Sequence, residues 1–177
     1  NPRKVLIDFG SGNEADLREF TITTSELPEQ ANVTGTCTGY QIRVCADENV
    51  DITALGVHHT LYSIDVNKMD QLRYLDLENC GLYSAPDLMY NKYLRSLNLA
   101  GNHIYSINLD GTTEGDNKYN LGDINLSGNN LTEFSVRDNR TLINLNLSGN
   151  QIEEISFKDA DNLKNLDISG NKLTYLD

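Results

Sequence analysis

One frame recurs from residue 72 to the end of the chain, and it leaves few folds open. It reads Leu72-x-x-Leu75-x-Leu77-x-x-Cys80-x-Leu82, and it returns from Leu94, Leu121, Leu142 and Leu163 with Asn102, Asn129, Asn150 and Asn171 in the ninth place. The first leucines stand 22, 27, 21 and 21 residues apart. A period of this length marks one small structural unit per copy, which buries its apolar face only by stacking on its neighbours. Leu97 and Leu99, two apart, point to one face of a short strand, the buried one. Stacked coils then pair these strands into a parallel sheet. The ninth residue turns the chain off that sheet and leaves inward backbone groups without partners. An asparagine side chain offers them both a donor and an acceptor. Cys80 fits the same small slot as a structural residue rather than a reactive thiol. The position before the asparagine is Gly101, Gly128, Gly149 or Gly170, where the turn needs a permissive backbone.

The second half of each copy is patterned too, as in Ile104-x-x-Ile107-x-Leu109, Leu131-x-x-Phe134-x-Val136 and Ile152-x-x-Ile155-x-Phe157. Period-two alternation predicts extended or tightly turned convex segments, not helices. The same half-frame at Leu61-x-x-Ile64-x-Val66 predicts a degenerate first coil from Ile52, with Leu55 and Val57 on its strand. Over residues 52–177 the chain resembles the leucine-rich-repeat family. That resemblance implies a β-rich, right-handed solenoid with a parallel sheet on its concave face and little helix. Residues 1–51 lack the frame. Segments 4–9, 20–24 and 40–45 read as strands, giving a β-rich N-terminal cap for the first coil. The run Ile7-Asp8-Phe9-Gly10-Ser11-Gly12, then Ile42-Arg43-Val44, then Ile52-Thr53-Ala54-Leu55, resembles the entry to bacterial cell-surface leucine-rich-repeat proteins. This second resemblance implies an exported protein, at the bacterial cell surface or secreted. The longer third coil and irregular first coil depart from that group.

Composition narrows the partners. Acidic residues number 26 against 14 basic ones, a net charge of -12. With no cluster of Lys and Arg, the chain is a poor match for nucleic acid. No run approaches the roughly 20 apolar residues of a membrane span. No signal peptide is present, which implies a cytosolic or an already processed chain. Cys37 and Cys45 lie eight apart in a β-prone stretch, and would be either a hairpin-closing disulfide or two thiols on neighbouring strands.

Catalytic chemistry has little to work with. The histidines are His58, His59 and His103, with no nucleophile paired to them in sequence, and no phosphate-cradling or zinc-ligand spacing occurs. Asp110, Thr112, Glu114 and Gly115, in the extra length of the third coil, echo half a calcium loop. Position twelve is Leu121, however, where a bidentate carboxylate is required. The expectation is therefore a non-enzyme with no cofactor and no bound metal.

The concave face carries the clearest pattern outside the core. Between the strand leucines stand Asp76, Asn98, Asn125, Asn146 and Asp167, and one column aside Tyr74, Ser96, Asp123, Asn144 and Asn165. These amides and carboxylates either bond to one another across coils or form a polar platform for a ligand. Tyr74, Asp76, Asn98, Asp123, Asn125, Asn144, Asn146 and Asp167 are the candidate binding residues. The ligand would be a protein or peptide, or a glycan, although one ring, Tyr74, is little for sugars to stack on. Six strands of four to five residues would span about 400 Å², half the ~800 Å² a standard interface takes from each partner. The alternative is a scaffold subunit of a larger surface complex with no free ligand. The open last coil, around Leu163 to Leu176, adds an expectation of association with a partner or a second copy.

Overall fold

The computed structural model describes residues 3–8, 18–22, 43–46, 52–58, 60–110, 120–137, 139–158 and 160–174. Among these there is no helix. Near the N-terminus, β1 (Arg3–Asp8) pairs antiparallel with β2 (Arg18–Ile22) on one side and β3 (Arg43–Ala46) on the other. Cys45 lies in β3 opposite Leu6. Cys37, and so the pairing of the two cysteines, falls outside the described residues.

The repeats build a six-stranded parallel sheet. Its strands are β4 (Ala54–Gly56), β5 (Tyr74–Asp76), β6 (Ser96–Asn98), β7 (Asp123–Asn125), β9 (Asn144–Asn146) and β11 (Asn165–Asp167), each beside the next coil's strand. Registry is unbroken, for Leu55, Leu75, Leu97, Ile124, Leu145 and Leu166 pair in one line. Convex segments of two coils form a second parallel pair, β8 (Glu133–Ser135) with β10 (Glu154–Ser156). Alternation in the second half-frame thus produces extended chain.

The core is the inside of the coils. Leu72, Leu94, Leu121 and Leu142, the first position of the frame, are fully buried, as are Leu77, Leu99, Leu126 and Leu147. Val66, Leu109 and Val136 close it from the convex side. Each buried aliphatic side chain contributes on the order of 1.5–3 kcal/mol, so stacking one coil on another supplies what an isolated 21-residue coil lacks. Strands are three residues long, shorter than the sequence pattern suggested. The sheet face is then about 300 Å².

At the turns after β5, β6, β7, β9 and β11 the chain takes a left-handed backbone. Gly101, Gly128, Gly149 and Gly170 have φ between 63° and 67°. A β-carbon on Gly170 would stand 3.4 Å from the backbone nitrogen of Gly149, so the glycines also let the turns stack closely. The second coil puts Asn79 (φ 55°) in this slot, a residue whose short polar side chain tolerates it.

Candidate functional site

Two columns line the sheet's open face, and they differ in what satisfies them. The outer column is Tyr74, Ser96, Asp123, Asn144 and Asn165, in register across five coils. Here Asn165 donates its amide to Asn144 Oδ1 at 2.6 Å, and Asn144 donates in turn to Asp123. Asp123, Asn144 and Asn165 thus satisfy one another.

The inner column bonds along its own coil instead. Asp76, Asn98, Asn125, Asn146 and Asp167 each accept, through Oδ1, the backbone N–H two residues on, at 3.0–3.2 Å. Such side-chain turns fix the residue's rotamer and help steer the chain off the sheet. Ser127 and Ser148 add their hydroxyls to Asn125 and Asn146 at 2.9 and 2.7 Å. Asn98 also spends its donor, on Asp76 at 3.0 Å and Glu78 at 3.1 Å. The Nδ2 groups of Asn125 and Asn146 meet no acceptor among the described residues. At Asp167 the backbone N–H and hydroxyl of Ser169 hold the carboxyl below its ordinary range, so it stays charged. A shallow groove of about 630 Å³ runs over this face, lined by Asn98, Asp123, Asn125, Asn144, Asn146 and Asp167 among others. Tyr74 and Asp76, on β5 at the N-terminal end of the two columns, lie outside its lining.

The buried asparagines do different work. Asn102 donates to Leu77 O of the preceding coil at 2.9 Å and to Leu99 O of its own at 2.8 Å, and accepts from Leu82 N at 2.9 Å. Asn129, Asn150 and Asn171 repeat this set. One side chain therefore ties two coils together. Cys80, buried in the same column, donates its thiol to Val57 O at 2.9 Å. It has no amide oxygen, and its backbone carbonyl takes the Leu61 N–H at 2.8 Å instead. Sequence reasoning overlooked Asn91, fully buried on the other side, whose amide bonds Val66 O at 3.1 Å and Met69 O at 2.8 Å of the preceding coil. Its signal was an asparagine three residues before the first leucine of the frame, which recurs as the buried Asn139 where other coils carry Met69 or Ala160.

On the convex side Asp110 opens the extra length of the third coil, and its carboxylate is occupied. It accepts from Arg137 N at 2.8 Å, Ser135 Oγ at 2.7 Å, and Arg137 Nε and Nη2 at 3.1 and 2.8 Å. Burial alone would raise this carboxyl's pKa, but those donors outweigh it and hold the pKa low. Thr112, Glu114 and Gly115 lie outside the described residues. Among the described residues no group of His, Cys, Asp and Glu is placed to hold a metal ion. His58 is exposed, and His59 lies outside the described residues. No described helix is long and apolar enough to cross a membrane.

Residues 162–177 match the family described as Leucine Rich Repeat. Together with five copies of the frame and a parallel sheet of stacked coils, this decides the matter. The chain is a leucine-rich-repeat solenoid. Among solved structures it is similar to the functional domain of InlJ from Listeria monocytogenes, which includes a cysteine ladder. The TM-score is 0.55 and the identity 24%, over 73% of this chain and 32% of that one. The solenoid thus spans about a third of that protein's solved length. No curated protein matches the sequence. Stacked repeats of this kind present an extended concave surface.

Proposed function

We propose that this solenoid is a non-catalytic recognition module of an exported bacterial surface protein, holding an extended peptide segment of a partner across its concave sheet. One observation carries the reading: Asn125 and Asn146 keep their amide donors unspent at the groove, while their neighbours in the outer column bond to one another. An extended peptide presents a carbonyl acceptor at every residue and suits such donors. The small sheet face favours that geometry over a globular partner. The bacterial-surface entry motif and the likeness to a Listeria domain support the location.

The test is the double variant Asn125→Asp, Asn146→Asp. Asp76 and Asp167 already make the same turn bond in this column, so aspartate keeps the turn and replaces a donor with an acceptor. Peptides selected against the parent protein from a random display library should bind the variant about tenfold or more weakly, equivalent to ~1.4 kcal/mol. Its melting temperature should hardly move. Equal binding by parent and variant would sink the reading, as would a glycan array that yields ligands where the peptide library yields none.

A further inference from the structure

A column of tyrosines runs along the flank where the chain leaves the parallel sheet. Tyr62, Tyr83 and Tyr105 each follow the apolar residue just past the turn (Leu61, Leu82 and Ile104) in three successive coils. Backbone bonds hold these coils side by side here, His103 N to Leu82 O and Leu61 N to Cys80 O, both at 2.8 Å. The three side chains are 82, 66 and 55% exposed. His103 lies against Tyr83 with ring centroids 5.0 Å apart and planes tilted by 36°. Among the described residues, Tyr62 and Tyr105 have no ring or cation against them.

Folding does not ask for these rings. The same column continues as Thr132 and Glu153, whose backbones bond at 2.9 Å, with Glu133 next along the chain. Both glutamates are exposed. No Lys or Arg occupies the column. In the exposed column beside it, Lys172 donates to Gln151 at 3.2 Å. Exposed aromatic rings therefore run into exposed carboxylates, on a chain of net charge -12.

We propose that this flank binds an arginine-containing basic segment of a partner protein. Guanidinium planes stack on tyrosine faces better than ammonium groups do, and the rings gain most from cations that are partly desolvated there. Glu133 and Glu153 take the next cation along the segment, and the overall negative field draws such a partner in. None of these residues lines the concave groove, so the flank stands or falls separately from it.

Calorimetry on the full chain at physiological salt would test this with nine-residue oligo-arginine, oligo-lysine and Gly-Ser peptides and a neutral oligosaccharide. The parent should bind oligo-arginine, bind oligo-lysine less tightly, and ignore the other two. The triple variant Tyr62→Ser, Tyr83→Ser, Tyr105→Ser should lose about tenfold in affinity for oligo-arginine, together with its preference over oligo-lysine. Its net charge is that of the parent, so this loss reports the rings and not the field. A triple leucine variant, which keeps the apolar bulk, should lose as much. Undiminished oligo-arginine binding by either variant would overturn the proposal, as would binding of the oligosaccharide in place of oligo-arginine.

Discussion

At the scale of single residues, asparagine serves this chain in two ways that the sequence writes with the same letter. In the ninth column it is a buried rivet. Asn150 accepts from Leu131 N at 3.1 Å and donates to Leu126 O and Leu147 O at 2.9 Å. Asn150→Ala would leave the buried Leu131 N–H unsatisfied and each of the two carbonyls with one amide donor, from Asn129 or Asn171, in place of two, so chemical denaturation should show a loss of about 1–3 kcal/mol. Asn146, four residues earlier, caps its own turn at the groove and has a donor to spare. The positions of both columns can be read from the 21-residue spacing. Which asparagines spend their donors cannot, because that depends on the neighbour in the preceding coil: Asn98 meets Asp76 and Glu78, whereas Asn125 and Asn146 meet no such acceptor. The tyrosine column was equally visible as spacing, but a reading that looked for rings only on the sheet face passed over it.

At the scale of elements, the frame was enough to place strands, turns and core, since a leucine two or three positions from the next has one way to be buried in a coil this short. It did not give the strand length. Three-residue strands reflect how soon the turn begins, with the inner-column side chain already gripping the backbone two residues on. Nor did it show what holds the long third coil. Asp110 does so, by taking the backbone, hydroxyl and guanidinium donors of Ser135 and Arg137 in the next coil. Because its folded pKa is depressed, the stability it contributes is present above the ordinary carboxylate range and is lost as pH falls through the folded value. Asp110→Asn should therefore cost about 1 kcal/mol near pH 7. The gap between parent and variant should close below about pH 4, and thermal melts across that range would show it. A gap constant with pH would mean that the charge on Asp110 does not matter.

At the scale of the whole molecule, coils four to six are nearly interchangeable. Asn150 and Asn171 each bridge to the previous coil through the same carbonyl and amide positions, at distances equal to within about a tenth of an ångström. A unit that fits its neighbour in this way also fits a copy of itself, so the gene can lengthen the protein by tandem duplication without redesigning any contact. Splicing a second copy of residues 142–162 directly after residue 162 should yield a folded chain whose sheet is longer by one strand, roughly 4.8 Å. Its thermal midpoint should rise, because nearest-neighbour stability accumulates with each added unit; an unchanged or lower midpoint by circular dichroism would show that the coils are not equivalent. Such a chain would also carry one more unspent amide at the groove, that of a second Asn146, so the reach of the concave face would be counted out in 21-residue increments.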